Sequence, residues 1–296
     1  MSSAIDLEAI APLPMALPGV TRRLLRRRAA VVILAILTLL IVSAIAAPLV
    51  TPYAPNVLAP RDRFLPPSAA HLFGTDELGR DLLTRVLYGG RIGLGIAAAS
   101  TVIAMLVGVA WGFAAAMRRG WIDEILMRLA DAAMAIPTIL FALVLVAAFG
   151  ASIVNLAVII GLLLAPVTAR LARSAALDEL KSEYVLAAVA SGATSMRVLL
   201  SEVLPNTLPS LLVLATLNAA SAILTEASLS FVGLGVQPPE ASWGSLLFQG
   251  YQRIYQSLWY AIFPGVVIFL TIWLLTLLAD QLQSVLDPRG QESARQ

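Results

Sequence analysis

Between the charged residues Asp131 and Arg170 the chain runs 38 residues without a single charged side chain. As one α-helix that stretch would measure about 57 Å, nearly twice the ~30 Å hydrocarbon core of a bilayer. It must fold back on itself, and Gly150-Ala151-Ser152 supplies the turn. Composition agrees: 59% of the 296 residues are hydrophobic and 13% are charged, and mean hydropathy is +0.87. A soluble domain of this size carries far more surface charge, so the class is an integral membrane protein. The apolar runs lack the polar/apolar alternation of barrel strands, so the spans read as helices.

The same length rule gives six spans: 29–47, 92–117, one on each side of the Gly150 turn, 207–234 and 258–279. This divides the chain into a tail (1–28), the first span with its outer loop (29–91), a core (92–282) and a second tail (283–296). A polar loop (174–206) lies within the core. Of the twenty Lys and Arg residues, fourteen fall on the side of the termini and six on the other. By the excess of basic residues, both termini and the polar loop face the cytoplasm. The first outer loop is itself rich in arginine, balanced by Asp62, Asp76, Glu77 and Asp81. Ala44-Ile45-Ala46-Ala47 has the small residues of a cleavage site. The apolar run before it is too long for a signal peptide, however, and five more spans follow. Pro12, Pro14 and Pro18 make residues 1–20 read as a flexible tail. Tyr251, Tyr255, Trp259 and Tyr260 suit the outer interface, and Trp121 suits the inner one.

There is no cysteine and only one histidine, His71. Thiolate sites and multi-histidine metal sites are therefore excluded, and His71 reads as a solvent-side loop residue. A net charge of +2, with arginines clustered at span ends, suits a lipid bilayer and not nucleic acid.

The polar loop has its own pattern. Tyr184, Val185, Ala188 and Val189 recur at helical spacing over 183–191. Gly192 suits the left-handed residue that closes a helix. Thr194 or Ser195 can cap a second short helix over 196–204, with Pro205 marking its end. Two helices meeting at an angle, with Ala187, Ala188 and Gly192 at the corner, permit close approach of a partner. An ordinary interfacial loop is the plainer alternative.

Ala187-Ala188, then Gly192, then Val203-Leu204-Pro205 ten residues further on, resembles the "EAA" loop of bacterial ABC importer permeases. Leu186 and Glu202 depart from the general pattern at positions that vary in the peptide-type branch. The segment 71–81 (HLFGTDELGRD) is similar to the stretch before span two in the C-type permease of dipeptide, oligopeptide and nickel importers. So are 226–235 (EASLSFVGLG), Gln237-Pro238-Pro239, Ser242-Trp243-Gly244 and Leu286-Asp287-Pro288-Arg289 at their own places.

The resemblance implies an all-α polytopic protein with the type I ABC importer permease fold, in a bacterial plasma membrane. It also implies a homologous second permease, two cytoplasmic ATP-binding subunits and an extracytoplasmic solute-binding protein. Glu183, Tyr184, Ala187, Ala188, Gly192, Leu204 and Pro205 would form the coupling element against an ATPase. No GxxxxGK[ST] phosphate loop occurs. The expectation is therefore a non-enzymatic subunit that binds no cofactor, with ATP and Mg²⁺ on the partner ATPases. The substrate class it suggests is di- or oligopeptides, with nickel, glutathione or another small solute as alternatives.

Several residues carry two readings. Glu226, deep in span five, is expensive in lipid unless paired or hydrated. With Ser230 it either faces the translocation pathway or makes a structural hydrogen bond or ion pair to the partner permease. Asp76, Arg80, Asp81 and Trp243 are candidates for an outer loop or gate. The segment from Asp76 to Asp81 reads equally as a helix lying on the membrane, laced by Glu77–Arg80 and Asp81–Arg85 pairs. Asp131 and Asp280 read as interfacial, Arg170 and Arg173 as headgroup anchors, and Pro137 and Pro166 as possible kinks. A secondary transporter would need inverted repeats and more intramembrane charge. An intramembrane enzyme would need a catalytic dyad, and none is present.

Overall fold

The computed structural model describes residues 17–286. The first sixteen residues, and the tail from Asp287 with its Asp-Pro-Arg motif, lie outside the described residues. Within them every regular element is a helix, apart from one isolated bridge between Thr75 and Asp81. Helices α1 (Leu17–Leu25), α2 (Arg28–Ile45) and α3 (Ala47–Val50) open the chain. They are followed by α4 (Leu82–Arg118), α5 (Trp121–Ala135), α6 (Thr138–Phe149) and α7 (Ile153–Glu179). Next come α8 (Glu183–Ala190), α9 (Ser195–Arg197), a π-helical segment (Val198–Val203), α10 (Leu204–Phe231), α11 (Trp243–Gln252) and α12 (Trp259–Leu286). Residues 17–20, read as tail from their prolines, belong to α1. Proline is tolerated in a first turn, where its missing N–H has no intrahelical partner.

Among the described residues five single helices are long and apolar enough to cross a bilayer. The sixth span is a bent pair. Helix α6 has only 12 residues, about 18 Å, too short to cross alone. It is set at 88° to α5 across Ile136 and Pro137. Pro137 causes the break: the residue before a proline is pushed out of the helical region, and Ile136 is extended at φ −84°, ψ 128°. Span three is therefore an amphipathic helix feeding a short apolar one, and not a straight span over 132–149. Pro166, by contrast, sits buried inside α7, which stays a single helix.

Arg27 binds Ser284, donating to its hydroxyl and, at 3.2 Å, to its carbonyl. Leu24 and Ala30 pack on Leu282 and Val285 beside that contact. The two ends of the described chain thus lie at one end of the bundle. An even number of crossings must separate them, and six satisfies this.

The bundle is organised on α4 and α7, which lie together through small residues. A Cβ on Gly112 would meet the Ala169 carbonyl oxygen at 2.2 Å, and one on Gly161 would meet Ile103 Cβ at 2.7 Å. Apolar side chains gain little from meeting each other in lipid, so close backbone approach and polar bonds hold such helices together. Ser100 Oγ donates to the Ala157 carbonyl at 2.9 Å, and Asn218 Nδ2 donates to Thr168 Oγ1 at 2.9 Å.

Helix α4 begins ten residues before the expected span because Arg85 and Arg91 are both neutralised. Asp81 caps its start, accepting from Thr84 N at 2.8 Å and Thr84 Oγ1 at 2.7 Å. Arg91 reaches back to donate to the last carbonyls of α2, Ala44 at 2.7 Å and Ile45, satisfying acceptors that a helix end leaves open.

Candidate functional site

Helix α8, α9 and the π segment form a corner at the end of the bundle where α1 meets the last turns of α12. A single Schellman turn closes α8. Gly192 adopts φ +85°, its N–H donates to Val189 O at 3.0 Å, and Ala193 N–H donates to Ala188 O at 3.0 Å. Thr194 then caps α9 through its hydroxyl. The expected second helix does form, but Pro205 does not end it. Residues from Ser195 to Phe231 run as one helix of 37 residues. The wider π turn just before Pro205 removes the i−4 carbonyl that its ring would strike, so the chain passes through the proline unbroken.

The inner face of the corner is sealed. Val185, Val198 and Val203 are buried with Phe113, Ala172 and Leu211. The Tyr184 hydroxyl donates to Glu179 Oε1 and accepts from Asn206 Nδ2 at 2.7 Å, tying α8 to the ends of both α7 and α10. Ala187 and Gly192 are exposed, and Ala188 is half-buried. Glu183 lies exposed in the first turn of α8, where a carboxylate opposes the helix dipole favourably. Leu204 is half-buried on the inner cluster and Pro205 is exposed.

The outer face carries residues that the small-residue argument passed over: Leu186 (56% exposed), Val189 (53%), Met196 (63%) and Leu200 (54%). The sequence did contain a signal. Leu186 falls about 100° round α8 from buried Val185 and so reads as outward; Val189, four residues on from Val185, shares its periodicity yet stands exposed. A cavity of about 160 Å³ lies between the two limbs, lined by Ala188, Gly192, Arg197 and Glu202 among others. Beside the corner, Arg173 makes a two-pronged bond to Asp123 at 2.6 Å, and Arg170 pairs with Asp131 at 3.2 Å. The two arginines read as headgroup anchors therefore clasp α5. Asp280 is exposed.

At the opposite end the loop before α4 is ordered by buried charge. Asp76 is fully buried and accepts from Arg80 Nε and from Arg85, each at 2.6 Å. The segment from Asp76 to Asp81 is a turn and not a helix on the membrane. Its backbone folds so that Asp76 also accepts from the N–H groups of Leu78 and Arg80. The Glu77–Arg80 pair is present at 3.5 Å. The Asp81 side chain serves Thr84 and His71 (Nδ1 at 3.0 Å) in place of Arg85. His71 is thus largely enclosed, with its ring stacked on Tyr53, and does not stand free in solvent. Trp243 opens α11 as a buried residue, and its indole N–H donates to the Val86 carbonyl at 2.8 Å. Of the aromatic cluster expected at the interface, Tyr251, Tyr255 and Trp259 are exposed. Tyr260 is buried and bonds Gln249 at 2.7 Å.

Glu226 and Ser230 are each 2% exposed. The Ser230 hydroxyl donates to Glu226 Oε1 at 2.7 Å and stands 3.4 Å from the Ser242 hydroxyl, which belongs to the N-cap of α11. The glutamate that is costly in lipid therefore has its partner inside this chain, and in this conformation it presents no atom to a passing solute.

Residues 91–291 match the family described as binding-protein-dependent transport system inner membrane component. Residues 19–67 match the N-terminal transmembrane domain of oligopeptide transport permease C. A putative peptide transport system permease protein of Brucella suis is 40% identical over 290 residues, 95% of this chain and 98% of that protein. The di/tripeptide transport system permease DppC of Pseudomonas aeruginosa is 38% identical, with 86% of each chain covered. A chain of the methionine ABC transporter MetNI, solved in inward-facing conformations, superposes with a TM-score of 0.57 at 19% identity. That match covers 69% of this chain and 96% of the other, and it speaks for the fold alone. With the family match spanning most of its length, including the Gly192 corner and the buried Glu226, the chain belongs to the inner membrane components of binding-protein-dependent transport systems.

Proposed function

We propose that this protein is one of two homologous permease subunits of an ATP-driven importer in a bacterial plasma membrane. The chain ends and the Gly192 corner face the cytoplasm, as the distribution of Lys and Arg favours. The corner seats on one of two ATP-binding subunits, which hold ATP and Mg²⁺; this chain binds no cofactor. An extracytoplasmic binding protein delivers the solute to the opposite end. The peptide names of relatives at 38–40% identity support di- or oligopeptides as that solute.

One observation carries the coupling assignment. Leu186, Val189, Met196 and Leu200 stand exposed on a polar loop whose own core is already closed beneath them. An apolar cluster on an ordered, non-spanning corner marks a protein contact. ATPase closure then biases a two-state element, and the Tyr184 bonds pass that bias to α7 and α10. Glu226, Ser230, Asp76, Arg80, Asp81 and Trp243 serve the pathway from behind, bracing the loops at its mouth.

The chain has no cysteine, so single cysteines report without background. Met196→Cys is expected to crosslink to a cysteine on the ATPase. Gly192→Asp or Ala188→Glu is expected to abolish uptake with insertion unchanged. Wild-type uptake by both variants at wild-type protein level would refute the coupling assignment.

A further inference from the structure

The chain enters its first span through a run of arginines that the transport reading leaves unused. Residues 17–28 contain five arginines and no acid. Arg27 is committed to Ser284 and so fixes α1 against the end of α12. Leu24 supports that fixing from within the small cluster with Leu282 and Val285. Arg22, Arg26 and Arg28 point outward, exposed, with no ion pair among the described residues. Leu25, between them, is 60% exposed.

Two features make this patch electrostatically open. Arg27 is extended at φ −88°, ψ 115°, so α1 leaves the axis of α2. The start of α2 has neither a side-chain cap nor an acid in its first turn. The positive end of the helix dipole therefore adds to the arginines in place of offsetting them. From Ala29 onward α2 carries no charge, so Arg28 marks the membrane boundary and α1 sits beside it.

We propose that α1 is an interfacial helix that binds the headgroups of acidic phospholipids through Arg22, Arg26 and Arg28, with Leu25 reaching the acyl boundary. Depth and charge favour a lipid partner. The patch lies where α2 meets the headgroups, and it pairs exposed arginine with exposed leucine as membrane-surface helices do. Because Arg27 locks α1 to α12, lipid bound here also steadies the contact between the first and last spans.

The test uses the purified full chain with bound lipid removed, then titrated with phosphatidylglycerol or phosphatidylcholine and followed by native mass spectrometry. Wild type is expected to retain phosphatidylglycerol in preference. About 1 M salt, which shortens the Debye length to about 3 Å, is expected to erase that preference. Each of R22Q, R26Q and R28Q is expected to weaken it roughly fivefold, and the triple variant on the order of a hundredfold. The single variants keep most of the local charge, so they still report if the triple variant fails to insert. R61Q/R253Q, at the opposite end of the bundle, is expected to leave it unchanged. Equal retention of the two lipids, a salt-independent preference, or unchanged binding in all three single variants would overturn the proposal. So would loss of the preference in R61Q/R253Q, or crosslinking of Arg22→Cys to a protein partner in place of lipid.

Discussion

Arg85 donates to Asp76 at 2.6 Å across nine residues of chain, with both side chains sealed from solvent. One carboxylate thereby holds two arginines, since Arg80 meets the same oxygen at 2.6 Å. Breaking a buried pair by removing one partner strands the other charge. Asp76→Asn is expected to lower stability by about 3–5 kcal/mol, read as a fall in Tm of the detergent-solubilised protein. Replacing Asp76 and Arg85 together by apolar residues is expected to recover part of that loss. Equal Tm values for wild type and Asp76→Asn would contradict the pairing.

Gly112 lies where α4 and α7 approach most closely, with a Cβ position only 2.2 Å from the Ala169 carbonyl oxygen. The obstacle is backbone, which cannot swing aside. Gly112→Leu is expected to destabilise the protein by about 3 kcal/mol or more and to reduce its yield in membranes. Gly95→Leu, where nothing lies within 4 Å, is the matched substitution expected to be tolerated.

Tyr184 connects the corner to the spans through its hydroxyl alone on the polar side. Tyr184→Phe leaves Leu186, Val189 and Met196 in place for an ATPase. It removes both bonds, worth about 1 kcal/mol each. Crosslinking from Met196→Cys is expected to persist in this variant while solute uptake per complex falls several-fold. Unchanged uptake would show that Val185 and its apolar neighbours transmit the motion without help.

The Asp123–Arg173 pair is only partly shielded, at 15% and 30% side-chain exposure. A double-mutant cycle on it is therefore expected to give about 1 kcal/mol of coupling, diminished by added salt. The charge-swapped pair Asp123→Arg with Arg173→Asp is expected to restore part of the stability that either single reversal loses.

Charge-free apolar length located every span but the third because lipid imposes a length and a polarity that any sequence must obey. The uncharged run between Asp131 and Arg170 forced a reversal at Gly150, and the helices do break there. Gly192 was legible for a related reason, since a helix that closes and turns needs a left-handed residue, and φ is +85°. Long-range pairing was not legible. Arg85 and Arg91 look like span-ending charges until Asp76 and the carbonyls of Ala44 and Ile45 are brought beside them. Local spacing favoured Asp81 with Arg85, yet Asp81 is spent on capping the helix that Arg85 lies in. Pro205 misled for a backbone reason, because a π turn has no signature in side-chain periodicity. Trp243 belongs to the same class: only the approach of α4 supplies the Val86 carbonyl that makes burial of its indole N–H tolerable.

The continuity of the helix from Ser195 to Phe231, through Pro205 and the buried Pro209, turns it into an oar. Its blade end carries Glu226 and Ser230 under the far loop, and its handle carries Met196 out among the exposed groups of the corner. Thirty-seven residues make a shaft of about 55 Å, so a swing of about 5° at the handle sweeps the blade through roughly 5 Å. Under the proposed coupling, the loosened coil at Val198–Val203 is the expected oarlock and the place to look for bending between two states.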